Sequence, residues 1–542
     1  MELFSLRTRA AFSLGSSVRT GRSAVTKVAA SALVPAILLS GTPAVAASNT
    51  LTITTLDRAG KKIAVTTTVV NLATNESRSV RSGQVKKLPK GTYAVLASID
   101  TGLVSTLGAS IVTVSGTTKT TLDARKGRKV TLGLSPAPAD ASLETQTIAQ
   151  ICTVSKSAVE RVEAWDFANE LYVIPNSSKK LAFAAMRTWT DHSGETDRHA
   201  VMYSTTTIPS TPSRTFSRSA LATVNVETRR GPSGSVSSSL AVQPIDRPCG
   251  SSMYGSLLSF DRPYRTKVFL SPGKWVVRAE SYAGTKDGST WNIGGFYAPR
   301  QVAAGTSYNL RFFRAAWGPA AVLPVLHNGR ISYSLNNMFA DPGFPRQSVE
   351  GGDKATATLT FRGKTVKTVK DRGWEPEEKV LNYTVKQSGW YTLTNTASRY
   401  YPEITFPSGM LSPRTSVTFR FKAKPRTWVA APVYAVTMRP VGLNLYNQAK
   451  PGSTTNVELK LSRPKGDPDI KLGKNPPVKT VSAKASFDGG RTWRSVQVKK
   501  IAGTWTALVG NPQSGAVSLR VRVTDTTGGY TDVTIIRAYA IG

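Results

Sequence analysis

The sequence predicts an all-β chain, and three observations carry that expectation. Apolar and polar residues alternate with period two: Val517, Leu519, Val521 and Val523 are separated by Ser518, Arg520, Arg522 and Thr524, and residues 417–421 and 308–312 repeat the pattern. Glycine (43) and proline (31) punctuate such runs at short intervals. A phrase also recurs in which a glycine precedes an aromatic entering an apolar run: Gly91-Thr-Tyr93, Gly273-Lys-Trp275, Gly389-Trp-Tyr391 and Gly503-Thr-Trp505. The glycine supplies a turn with positive φ, and the aromatic anchors the strand on the core. One stretch, Ser157 to Ala168, is a helix candidate, because Val159, Val162 and Trp165 recur at helical spacing.

Taken in order, residues 1–46 read as a signal peptide. A basic region runs from Arg7 to Lys27, an apolar run follows over 28–39, and Ala44-Val45-Ala46 offers small residues for cleavage. The run is shorter than the ~20 residues a spanning helix needs, and residues 538–542 show no sorting motif or anchor. A soluble exported protein is therefore expected, extracellular or associated with the cell wall. The last three copies of the glycine–aromatic phrase lie 116 and 114 residues apart, which suits one sandwich per copy; the first gap is 182. Four units follow: a small sandwich over 49–133, a larger one over 140–320, and two immunoglobulin-like sandwiches over 325–425 and 430–542. Pro136, Pro138, Pro319 and Pro425 mark the joints. The first unit, with Leu51-Thr-Ile-Thr-Thr-Leu-Asp-Arg-Ala-Gly60 and Leu88-Pro-Lys-Gly-Thr-Tyr93, looks like a carboxypeptidase-regulatory or transthyretin-like domain.

The chain is 40% hydrophobic, as expected of a globular protein, yet its formal charge is +37. Residues 1–46 hold five basic residues and one acid, so their removal leaves +33. That excess favours anionic partners such as wall polymers, acidic lipids or nucleic acid, and export argues against nucleic acid. Cys152 and Cys249 are the only cysteines. An even pair in an exported chain favours a disulfide within the second unit.

Candidate chemistry is sparse. Ser486-Phe-Asp488-Gly-Gly490-Arg-Thr492-Trp493 fits the Asp-box pattern, Ser-x-Asp-x-Gly-x-Thr-Trp. Ser486 and Asp488 can bond turn amides, Gly490 relieves strain and Trp493 packs on the core. Sialidases repeat this motif once per propeller blade; one copy cannot build a propeller, so it reads as a structural turn. Only His192, His199 and His327 could serve as a base. No subtilisin-type serine or histidine segment and no Gly-x-Ser-x-Gly elbow is present. The densest ligand cluster is Asp191-His192-Ser-Gly-Glu195-Thr-Asp197-Arg198-His199, expected at a hairpin tip. His192, Asp197 and His199 are its candidate ligands for calcium or zinc, but the spacing matches no established metal loop and Arg198 opposes a cation. Asp467 and Asp469 form a lesser pair. No cofactor motif is found, so no cofactor is expected.

The tail, with the Asp-box segment, residues 517–525 and Ile535-Ile-Arg-Ala-Tyr-Ala540, resembles the C-terminal end of large secreted bacterial subtilisin-like serine proteases. Residues 116–130, 171–175 and Arg187-Thr-Trp189 are similar to preceding modules of the same proteases. Their catalytic residues have no counterparts here. The resemblance implies an extracellular, non-catalytic β-sandwich region without its peptidase domain. Three readings follow: a binding or scaffolding protein that adheres to anionic wall or extracellular polymers, a partner or competitor of a secreted protease, and an unrecognised hydrolase centred on His192 and His199.

Overall fold

The computed structural model describes residues 49–138, 144–154, 159–166, 170–190, 198–231, 237–245, 248–250, 253–260, 263–347, 353–372, 379–425, 429–464, 472 and 476–542. The expected signal peptide, and Asp191, His192, Glu195, Asp197, Asp467 and Asp469, lie outside them.

The fold is all-β. Among the described residues the helical content is two single 3₁₀ turns, Ala124–Lys126 and Arg218–Ala220. The helix candidate is instead occupied by the strand Arg161–Asp166, which pairs antiparallel with Glu144–Thr153. The true period there is two: Ala164 is buried while Trp165 is 42% exposed. A small residue on the inward face had hidden the alternation.

Four sheets stack in the first half of the described chain. A three-stranded sheet joins Thr50–Leu56 to Val85–Lys87 and, in parallel, to Thr117–Asp123. Its Leu51, Ile53 and Leu122 pack on Val69, Val95 and Ile99 of a six-stranded sheet. The other face of that sheet (Val70, Ala94, Leu96, Leu107) meets Ala149, Ile151, Phe183 and Ala185 of a seven-stranded sheet. The far face of the seven-stranded sheet, with Ile148, Ala184 and Met186, joins a core with Leu240, Val242, Trp275 and Val277 of a four-stranded sheet. Strand Leu181–Thr190 is thus buried on both faces, which is why its apolar run is unbroken rather than alternating. Strands also cross the proline-marked joint: Leu171–Val173 pairs with Val104–Val114 and with Arg128–Lys129, and Ser213–Ser217 pairs with Thr131–Ser135.

In the second half, strand Arg414–Ala423 pairs antiparallel with Tyr530–Ile541, from Thr415 opposite Ile535 to Arg420 opposite Tyr530. This pairing fuses the strands of 353–423 and 435–541 into one twelve-stranded sheet. The buried Asn447 ties the halves together. Its amide donates to the carbonyls of Arg230 (2.7 Å) and Phe313 (2.9 Å) and accepts the Ala315 amide at 3.0 Å.

Three of the four glycine–aromatic phrases share one detail. Tyr93 donates to Pro89 O at 2.9 Å, Trp275 to Ser271 O at 2.8 Å and Tyr391 to Gln387 O at 2.9 Å. Each buried ring places its polar tip on the carbonyl four residues upstream, as the tyrosine corner of sandwich folds does. The fourth copy, Trp505, is only half-buried.

Candidate functional site

The Asp-box segment closes the hairpin between Val478–Ser486 and Arg494–Ile501. Ser486 Oγ donates to Asp488 Oδ1 at 2.8 Å and accepts the Gly490 amide at 2.8 Å. The Asp488 carboxylate also accepts the Arg491 amide (2.9 Å), the Thr492 amide (3.0 Å) and the Thr492 hydroxyl (2.5 Å). These donors, the Thr492 hydroxyl first, hold its carboxyl well below the usual carboxylate range. Gly490 sits at φ +91°, and a Cβ there would lie 2.7 Å from Ile536 Cδ1. Trp493 differs from expectation: its indole is half-buried and folds back to donate to Gly490 O at 3.0 Å. The acid's acceptors are occupied by the turn itself, which makes the motif a structural device.

Cys152 and Cys249 form a disulfide with Cα atoms 5.5 Å apart. It joins the end of strand Glu144–Thr153 to the core beneath Ala182. The strands flanking residues 191–197 pair antiparallel, as a hairpin requires, and His199 sits at the start of the returning strand rather than between them. It lies within strand Arg198–Thr205 opposite Trp189, is buried, and stacks on Phe269 with ring centroids 4.9 Å apart. Beside it the buried Arg198 guanidinium donates to Leu257 O (3.2 Å) and Thr266 Oγ1 (2.8 Å). Among the described residues no group of three His, Cys, Asp or Glu is placed to hold a metal ion.

A cation-rich outward face was not singled out by sequence reasoning. Inward residues of the twelve-stranded sheet, such as Ala357, Leu393, Val417, Phe419, Val521 and Val533, are buried. Their outward neighbours align across seven strands, about 29 Å at ~4.8 Å per strand interval. One row reads Arg372, Lys354, Ser398, Arg414. The next reads Lys370, Thr356, Thr396, Ser416, Thr534, Arg520, Lys484, and the third Thr368, Thr358, Thr394, Thr418, Asp532, Arg522, Ser482. A fourth carries Thr360, Thr392, Arg420 and Tyr530, flanked by Trp390 and Lys422. Among the described residues these rows carry nine cations and one carboxylate, that of Asp532, which Arg520 (2.9 Å) and Arg522 (2.7 Å) share.

Aromatic rings hold several of these cations in place. Arg420 stacks over Trp390 at 4.2 Å and donates to Gly528 O at 2.7 Å, and Arg522 lies over Tyr530 at 4.5 Å. The field of threonine hydroxyls between the cations offers neutral donors and acceptors. A broad sheet face of this kind suits an extended, hydroxylated polyanion better than a small molecule, which needs concavity.

No protein-family model and no curated protein matches the chain. Among solved structures, the FN1–FN3 domains of chicken CNTN1 align at 10% identity over 57% of this chain and 92% of that one, with a TM-score of 0.14. A streptococcal ancillary pilin aligns at 10% identity over 49% and 99%, with a TM-score of 0.12. Sidekick-1 immunoglobulin domains 1–5 align at 11% identity over 88% and 92%, with a TM-score of 0.11. Superpositions this loose carry no argument about role, and the all-β assignment rests on the strands themselves.

Proposed function

We propose that this chain is a secreted, non-catalytic binding protein that adheres to anionic cell-wall or extracellular polymers through the outward face of its twelve-stranded sheet. The observation that carries the reading is the set of cross-strand rows in which, among the described residues, nine cations and a threonine field accompany one carboxylate. The signal-peptide pattern, the cystine and a charge of +33 after residue 46 support an extracellular setting. The test is co-sedimentation with purified cell walls, with and without their anionic polymer, across a salt series. Binding that needs the polymer and weakens steeply with salt is expected; retention that ignores both would overturn the reading.

A second reading rests on the likeness of the tail to protease accessory regions: the chain docks to a secreted subtilisin-like protease. Affinity purification from culture fluid that recovers no protease would remove it.

A further inference from the structure

A second polar surface lies on the seven-stranded sheet. Strands Ala222–Thr228, Tyr264–Leu270 and Ser307–Phe312 run side by side. Their register places Lys267, Asn225 and Asn309 in one row and Arg265, Glu227 and Arg311 in the next. The rows line a cleft of about 400 Å³, a volume typical of small-ligand sites.

Glu227 is the hub. Its carboxylate accepts Arg229 Nε at 2.8 Å and Arg265 Nε at 3.3 Å. Arg311 Nε stops 3.9 Å away, beyond hydrogen-bonding distance. Among the described residues three cations, Arg229, Arg265 and Arg311, converge on this one carboxylate, Lys267 stands in the adjoining row, and the Arg265 and Arg311 side chains are 69% and 58% exposed. Burial pulls the nearby Arg314 guanidinium below its ordinary value; the Asp341 carboxylate opposes this, and the like charges of Arg439, Arg311 and Arg229 add to it. Arg265 and Arg311 share one carboxylate and keep exposed guanidinium donors, which a counter-anion can take. In the adjoining row Asn225 donates to Asn309 Oδ1 at 3.2 Å, so neutral amides sit beside the cations.

We propose that this cleft binds the terminal phosphate monoester of a polyol-phosphate chain, with the phosphoryl oxygens on Arg265 and Arg311 and the polyol hydroxyls on Asn225 and Asn309. A monoester carries a charge near −2 at neutral pH. It offsets more of the cation excess than a carboxylate does, and its oxygens match the guanidinium fork. The inference deepens the polyanion reading, since it names a unit of the polymer and rests on that reading for the polymer itself.

The test is saturation-transfer NMR on the protein with glycerol 3-phosphate, with glycerol and galacturonate as comparisons. Transfer to glycerol 3-phosphate alone is expected, with affinity falling roughly ten-fold in Arg265→Gln/Arg311→Gln. The single exposed variant Lys267→Gln should weaken it less, and it serves if the double variant loses its fold. No transfer, equal transfer to glycerol or galacturonate, or unchanged transfer in the folded variants would overturn the proposal. Wall binding with no glycerol 3-phosphate signal defeats this inference alone. A signal without wall binding supports it and defeats the wall reading.

Discussion

Converting Lys354, Lys370, Arg414 and Lys484 to glutamine should weaken polyanion binding by an amount the face itself sets. All four are exposed, and none forms an ion pair among the described residues. They occupy the two adjacent rows that carry the most charge. Each cation that meets a phosphate on a single strand contributes about 0.7 to the slope of log K against log salt. Losing all four should lower the slope by about 2.8, which at about 0.1 M salt is roughly 600-fold, or about 3.8 kcal/mol. The assay is fluorescence anisotropy with a labelled thymidine oligonucleotide, used as a ruler of uniform charge. Exposed substitutions of this kind move stability by about 0.5 kcal/mol or less, so the melting temperature should hold. A control variant neutralises Lys61, Lys62, Lys86 and Lys87, which are equally exposed but lie on the first sandwich. An unchanged slope in the folded face variant, or an equal drop in the control, would show that net charge rather than the rows drives binding.

Three further outcomes concern stability. Gly490→Ala adds left-handed strain of about 1–2 kcal/mol to a clash with Ile536, whereas Gly489→Ala, at φ +74° with nothing within 4 Å, adds strain alone; thermal melts should rank Gly490→Ala as the worse, and equal melts would remove the clash from the account. Cys152→Ala with Cys249→Ala opens a bridge spanning 97 positions, worth up to ~4.7 kcal/mol on the chain-entropy account; urea unfolding that shows no loss would contradict a stabilising role. Burial raises the carboxyls of Asp341 and Asp353 from 3.8 to about 6. The folded state then holds these protons more tightly than the unfolded chain, so stability present at low pH is lost as pH rises through 6, by up to about 3 kcal/mol per group. A melting temperature that stays flat or rises between about pH 4 and 7 would refute that sign.

What the sequence could show depended on how far apart the interacting residues lie. The Asp-box turn was legible because all its hydrogen bonds close within eight residues, Ser486 to Trp493. The alternation of Val517, Leu519, Val521 and Val523 was legible because one face of that strand is wet. Strand Leu181–Thr190 could be recognised as apolar, but not as the divider between two cores, since Phe183 and Ala184 look alike until both neighbouring sheets are known. The cationic face was harder still. Period two already pointed Arg420, Arg520 and Arg522 away from the core, yet a row is a property of register, and register comes from pairings such as Thr418 with Asp532, over a hundred positions apart. The same holds for Glu227, whose partner Arg265 lies 38 residues on, in a different strand. Outward cations in excess were therefore visible as composition, as a charge of +37. Only the strand pairing turns that charge into two surfaces of different geometry, one a threonine-rich sheet face, the other a cleft around Glu227. A polymer and its end group are distinct ligands, and the proposed readings assign one to each geometry.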